Sequence, residues 1–391
     1  MVVIRSWKYR IYPTKEQKKE FQIYLYQCKN LWNYLLDYTK EYYKKTNKFP
    51  TRKQLYALTK KKTKLFSQVA QNIADKLRKA LEGMFATKKK VGKAGFPRFK
   101  PTERMKSFTY PQFGFKIGKK LFLSELDGIS IRKHRKLKGK IKTLTIKRMP
   151  SGKWYALFTS EVDISPRCNK GPKAGMDLGI EHFGHLSDDS IIVNPRHIKV
   201  AEGKLKKAQK LLSKKKKASK NRIKSKLRIA RAHEKVTNNR RDFLHKTSRK
   251  LVNSYSYIAM EDLNVKGMSK GFLAKHILDC SWAEFRGMLH YKAEEAGSEI
   301  VLVDPAHTSQ ECSSCGLVRK KTLAERWHRC SCGASMHRDL NAAKNILERA
   351  ISLSSKSRYS CSKQATGGRR KVKPVEKMPL SIISHNGQVS L

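Results

Sequence analysis

Three acids stand where one local pattern of the chain gives way to another. Asp177 follows the apolar Ala174-Gly175-Met176, and Gly179 lets backbone or substrate come close. Glu261 closes Ser256-Tyr257-Ile258-Ala259-Met260. Asp339 precedes Leu340-Asn341-Ala342-Ala343-Lys344-Asn345-Ile346-Leu347, a good helix former. Singly, an acid at a strand end belongs to a surface loop, and an acid at a helix start is an N-cap. Together they meet a chemical need. In-line phosphodiester hydrolysis uses hard dications to activate water and to stabilise the departing oxygen. Two such ions about 4 Å apart need a small cluster of carboxylates on rigid elements. Two strand ends and a helix start are suitable mounts.

A second constellation is sulfur. Four of the eight cysteines fall in one window, as Cys312-Ser313-Ser314-Cys315-Gly316 and Cys330-Ser331-Cys332-Gly333. Paired thiols followed by glycines match a closed, structural four-ligand Zn²⁺ site. The second pair is Cys-x-Cys, one residue shorter than usual, which leaves His328 as a reserve ligand. Cys28, Cys168, Cys280 and Cys361 are scattered singly and read as ordinary thiols.

Charge names the class of partner. Lys and Arg number 87 against 31 Asp and Glu, a formal +56. A fold with that charge repels itself, so a polyanion is implied, and nucleic acid fits best. Charge alone does not choose between DNA and RNA. From Gly203 to His233 there is no acid, yet Leu205, Ala208 and Leu212, then Ile223, Leu227 and Ala230, keep a helical apolar stripe. Lys204–Arg231 therefore reads as one long basic helical stretch. With no acids at i+4, phosphate is the better neutraliser. Lys214, Lys215 and Arg222 lie in it. Arg241 downstream, and Arg98 in the extended Gly95-Phe96-Pro97-Arg98-Phe99-Lys100, are further nucleic-acid candidates.

The remaining elements frame these residues. A hydrophobic content of 39% excludes a wholly disordered chain. No run of 18 apolar residues occurs and the N-terminus lacks a signal-peptide core, so a cytoplasmic protein without a membrane partner is expected. Ile4 to Tyr12 alternates like a strand. Thr14 with Gln17 and Thr51 with Gln54 are capping boxes that start helices, and Ser67 to about Lys88 gives a third. From Phe113 to Val162 short strands recur. Thr143–Ile146 and Trp154–Phe158 make a hairpin across Pro150-Ser151-Gly152, and the first strand is expected to join their sheet. Apolar strands follow at Ala174–Ile180, Ser190–Val193, Ile258–Met260 and Glu299–Val303. After Ala350 a Ser-, Lys- and Gly-rich tail lacks periodicity.

These motifs, in this order, resemble the TnpB family, transposon-encoded RNA-guided DNA endonucleases related to the type V CRISPR effectors. The matching segments include Tyr9-Arg10-Ile11-Tyr12-Pro13, Gly95–Phe99, Gly175-Met176-Asp177-Leu178-Gly179-Ile180 and Arg241-Asp242-Phe243-Leu244-His245-Lys246. Glu261-Asp262-Leu263, Trp282 with Phe285, Tyr291-Lys292-Ala293, Thr308-Ser309-Gln310 and Arg338-Asp339-Leu340-Asn341-Ala342-Ala343 complete them.

The resemblance implies a multidomain α+β fold. A wedge-like β-barrel (1–14 and 113–165) would carry an inserted helical recognition lobe (15–112). A RuvC-type RNase H-like α/β nuclease domain (172–307 and 337–350) would follow, with a zinc ribbon (308–336) inserted and a flexible tail at 351–391. It implies that Asp177, Glu261 and Asp339 are catalytic and hold two Mg²⁺ ions, with Asp177 bridging them. Cys312, Cys315, Cys330 and Cys332 would hold Zn²⁺. It further implies a monomer whose guide RNA, transcribed from the transposon end, pairs with double-stranded DNA beside a short motif, near which Gln71 would act. His337 departs from the family, standing where many relatives have another acid. A transposase of the RNase H-like class, a non-cutting RNA-guided repressor and a CRISPR-associated miniature effector are the alternatives.

Overall fold

A computed structural model describes residues 2–362 apart from 125, 166, 323 and 324, with the side chains at 61 and 354–362 also left out. The first strand, β1 (Val2–Tyr12), buries Trp7, Tyr9 and Ile11 on one face, as a period of two dictates. Helices α1 (Lys15–Thr46), α2 (Arg52–Lys62) and α3 (Ser67–Val91) follow. Both capping boxes form: Gln17 N donates to Thr14 Oγ1 at 3.2 Å, and Gln54 N to Thr51 Oγ1 at 3.3 Å. The Gly95–Lys100 segment lies along α1, where Asn33 exchanges hydrogen bonds of 3.1 and 2.8 Å with the Lys100 backbone.

Six further strands complete the first sheet: β2 (Ser107–Tyr110), β3 (Phe115–Ile117), β4 (Lys120–Leu123), β5 (Leu126–Arg132), β6 (Lys140–Arg148) and β7 (Trp154–Asp163). Their order is β2-β6-β7-β1-β5-β4-β3, all antiparallel. The edges β2 and β3 are brought together by Tyr110 and Phe115, whose rings are 6.3 Å apart, so the sheet nearly closes into a barrel. β1 joins it as expected, and the β6–β7 hairpin turns at Gly152, whose φ of +79° glycine alone adopts without strain. The helical segment expected over 15–112 is shorter than that. Residues 107–110 pair with β6, and this short strand carries too little alternation to be seen before its partner is known.

The second sheet holds β8 (Lys173–Asp177), β9 (His182–Leu186), β10 (Ile191–Val193), β11 (Tyr257–Glu261) and β12 (Glu299–Val303), in the order β10-β9-β8-β11-β12. β8, β11 and β12 run parallel and need long crossovers. The first carries α4 (His197–Ser213) and α5 (Lys220–Ser254), the second α6 (Val265–Met268), α7 (Ala274–Cys280) and α8 (Trp282–Ala296). Beyond a small ribbon of β13 (Trp327–Arg329) and β14 (Ser335–His337), α9 (Arg338–Ser362) crosses the sheet. β11 is buried on both sides. Ile258 and Met260 pack with Phe285, Leu289 and Leu251 on one face, while Tyr257 and Ala259 pack with Ile346 and Ala350 of α9 on the other. That explains its unbroken apolar run.

Three expectations change here. The strand expected to run to Ile180 ends at Asp177, and β9, with its central Gly184 and no β-branched residue, follows unannounced. The single helix expected over Lys204–Arg231 is a hairpin broken at 214–219, where Ala218 takes φ +65° and Ser219 caps α5. The tail expected from 351 is helical over its first part: α9 continues to Ser362, because extending an existing helix costs far less than starting one. Residues 363–391 of that tail lie outside the described residues. No described helix is long and apolar enough to cross a membrane.

Candidate active site and metal centres

Alternation places the acids. On β8, Ala174 and Met176 enter the core beneath α5 and α8, so Gly175 and Asp177 face α9. On β11, Ile258 and Met260 take that same core, so Tyr257, Ala259 and Glu261 face α9. The parallel register Met260↔Met176 sets Glu261 and Asp177 side by side at the C-terminal ends of neighbouring strands. A slip of either strand by one residue would turn its acid to the wrong face. Asp339 enters from above, in the first turn of α9. Gly175 makes that approach possible, since a Cβ there would meet Ala343 O at 2.0 Å and Leu347 N at 2.8 Å.

Asp177 feels the other two carboxylates. Burial first, and then the charges of Glu261 and Asp339, push the Asp177 carboxyl well above the ordinary range, with Arg338 pulling back. Burial also raises Glu261, opposed by a 2.5 Å hydrogen bond from the Thr308 hydroxyl to Oε1. Asp339 Oδ1 lies 3.6 Å from Arg338 Nε, and its Oδ2 3.8 Å from His337 Nδ1. Carboxylates forced together at strand ends are costly alone and are relieved by a hard dication, so this donor set fits Mg²⁺. The N-cap reading of Asp339 gives way, because it sits inside the first turn.

The four thiols also converge. Cys312, Cys315, Cys330 and Cys332 hold their sulfurs within 4.8 Å of one another. The pairs Cys312–Cys332 and Cys315–Cys330 are 3.8 and 3.5 Å apart, close to the ~3.8 Å edge of a tetrahedron with Zn–S bonds of ~2.3 Å. The short Cys-x-Cys pair thus still brings both of its thiols into the cluster. His328 does not join them. It is buried beside Lys321, whose ammonium nitrogen contacts its Nδ1. Asn341 and Asn345 of α9 fasten the segment that leads into the thiols. Asn341 Oδ1 accepts from Ser313 N at 2.9 Å, and the two amide groups donate to Glu311 O at 2.6 and 2.7 Å. Sulfur centre and Asp339 are therefore built on one helix.

The basic candidates divide. Lys214 and Lys215 are exposed in the α4–α5 turn, with no carboxylate partner among the described residues. Arg98 is exposed and Gln71 is half-buried on α3. Arg222, by contrast, is used inside the protein: its guanidinium donates to Leu212 O at 3.1 Å and Lys215 O at 2.8 Å, closing the hairpin. Arg241 is engaged too, 2.8 Å from Glu284. In the sequence Thr308 stands out only as part of a motif, and its bond to Glu261 has no local signal. His185 carries no sequence signal at all, since only the pairing Asp177↔His185 reveals it.

Comparison with known proteins agrees with this architecture. Residues 157–271 match a family described as "Probable transposase", 282–346 a "Cas12f1-like, TNB domain" and 1–48 a "Helix-turn-helix domain". In this chain that last segment is β1 and the whole of α1, with no second helix among its described residues. A Streptomyces pristinaespiralis protein described as "Putative RNA-guided DNA endonuclease" is 34% identical over 369 residues, covering 90% of each chain. An Escherichia coli K12 protein described as "Putative RNA-guided DNA endonuclease InsQ" is 29% identical, covering 97% of this chain and 98% of its own. The fold is similar to a protein chain in a Cas12f1–sgRNA–target DNA complex, with a TM-score of 0.56 at 15% identity, over 88% of this chain and 98% of that one. With an endonuclease relative this similar over nine-tenths of both chains, and the motifs in family order, the chain belongs to the TnpB family of RNA-guided DNA endonucleases.

Proposed function

We propose that the chain is an RNA-guided, Mg²⁺-dependent endonuclease that cuts double-stranded DNA beside a short transposon-associated motif. The observation that carries this reading is the convergence of Asp177, Glu261 and Asp339 on one face of one sheet. A RuvC-type site on an RNase H-like sheet has this form. Mg²⁺, when bound, activates the attacking water and stabilises the departing oxygen. Asp177, Glu261 and Asp339 would hold the ions through their carboxylate oxygens. Thr308 would orient the Glu261 carboxylate and oppose the rise in its proton affinity that burial causes. The thiols form a structural zinc ribbon that steadies the start of α9 and hence Asp339.

Guide pairing would select sequence, while cations of the barrel, the helical lobe and the α4–α5 turn hold the heteroduplex by its backbone. Lys214, Lys215 and Arg98 suit that task. Gln71 on α3 is placed near the duplex motif by resemblance alone. The guide would be transcribed from the transposon end. Sequencing RNA that co-purifies with the chain tests the guided reading. One structured species, whose removal abolishes cutting and whose return restores it, is expected; a folded, RNA-free chain that cuts at full rate would contradict it. The match to a family described as transposase supports a second reading, strand transfer, which an assay with transposon ends separates from simple cutting.

A further inference from the structure

Two histidines that the cutting mechanism does not use lie beside its carboxylates. His185 in β9, His337 at the end of β14 and Asp339 hold ligand atoms within 4.8 Å of one another. The antiparallel pairing of β9 with β8 sets His185 opposite Asp177, on the side of the sheet that faces α9. Its ring is 3% exposed. Asp189 Oδ1 lies 2.9 Å from its Nε2, so the exposed carboxylate accepts that N–H and leaves Nδ1 as a bare lone pair. Nδ1 is buried without a hydrogen-bond partner among the described residues. Such an orphan is costly unless something meets it. A carboxylate on one ring nitrogen and nothing on the other is the arrangement of a metal-ligating imidazole.

The other two groups complete a donor set. The His337 ring stacks on that of His185, with centroids 5.5 Å apart and planes 19° apart. Its Nδ1 is 3.8 Å from Asp339 Oδ2, and these two side chains are 29% and 15% exposed, which leaves a way in from solvent. Ligand atoms around a ~2.1 Å first shell lie ~3–3.5 Å apart, so the cluster needs only a modest closing movement.

We propose that His185, His337 and Asp339 form a binding site for a transition-metal dication of the Co²⁺, Ni²⁺ or Zn²⁺ class. Two imidazoles and one carboxylate suit those ions and are a poor match for Mg²⁺, which prefers oxygen. The site is separate from the thiols and binds whether or not the acids cut DNA. Where they do, it shares Asp339, so its ion withdraws that carboxylate and excess transition metal inhibits cutting.

The test uses the full chain with its thiols saturated by Zn²⁺, titrated with Co²⁺ in the presence of excess Mg²⁺. One further Co²⁺ is expected, with visible ligand-field bands, no thiolate charge-transfer absorption and hyperfine-shifted imidazole proton signals in the unmodified chain. His185→Ala and His337→Ala should each weaken it by about tenfold or more. Asp177→Asn, which leaves all three ligands in place, should retain it while losing cutting, which separates this proposal from the endonuclease reading. Co²⁺ displaced by Mg²⁺, thiolate bands alone, or no shifted imidazole signals would overturn it.

Discussion

The Thr308 hydroxyl donates a 2.5 Å hydrogen bond to Glu261 Oε1, tying the loop after β12 to the end of β11. It lowers the proton affinity that burial raises, and so favours the ionised form a dication needs. Thr308→Val keeps shape and removes the donor. Groups that orient a ligating carboxylate contribute roughly 10–100-fold to metal affinity or activity, so the Mg²⁺ concentration for half-maximal cutting should rise by about tenfold or more. An unchanged Mg²⁺ dependence would remove Thr308 from the site.

Asp177 makes the metal-free protein sensitive to pH. Its carboxyl is held well above the ordinary range, so the folded state keeps a proton that the unfolded state gives up. Stability therefore falls as pH rises from the unfolded-state value toward the raised folded one, so the protein is less stable above that window than near pH 3. Asp177→Asn removes that loss. In chelator, the variant should melt higher at pH 7 by about 2–4 °C for each ~1 kcal/mol relieved, with no advantage near pH 3. A variant that melts lower than the parent at pH 7 would contradict the crowding of acids.

Zinc content distinguishes the thiols from His328. Cys330→Ser should lose the ion and, because Asn341 and Asn345 tie that segment to α9, lower both thermal stability and cutting. His328→Ala should keep one zinc per chain, since its ring contacts Lys321 and not the sulfurs. Metal analysis of the two purified variants decides.

The α4–α5 turn offers a test of the basic surface. Replacing Lys214 and Lys215 by Ala should weaken nucleic-acid binding uniformly across sequences. The logarithmic salt slope should fall by about one unit for each phosphate that is no longer neutralised. Arg222→Ala should act differently, by loosening the hairpin whose carbonyls it bonds, and should show as a decrease in helical structure.

What could be read without coordinates was local. Thr14 with Gln17, Thr51 with Gln54 and the turn at Gly152 are short-range codes, and each formed where expected. The apolar run of β11 announced burial on both faces, and so pointed to Glu261 at its end. Apart from the place of β1 in the first sheet, long-range pairing was not legible. β2 exists because β6 lies beside it, and β9 because β8 does. His185 becomes notable only through its register with Asp177. The break at 214–219 was hidden because apolar stripes on both sides imitate one continuous helix, and Arg222 looked like a phosphate ligand until the carbonyls it bonds were known.

Single-turnover cutting of a matched DNA duplex by guide-loaded Asp177→Ala tests the account most directly. The acids are required to supply several kcal/mol of transition-state stabilisation through bound metal, so the rate should fall roughly 10³-fold or more while RNA and target binding stay near parental levels. Cutting by Asp177→Ala at close to the parental rate would contradict it.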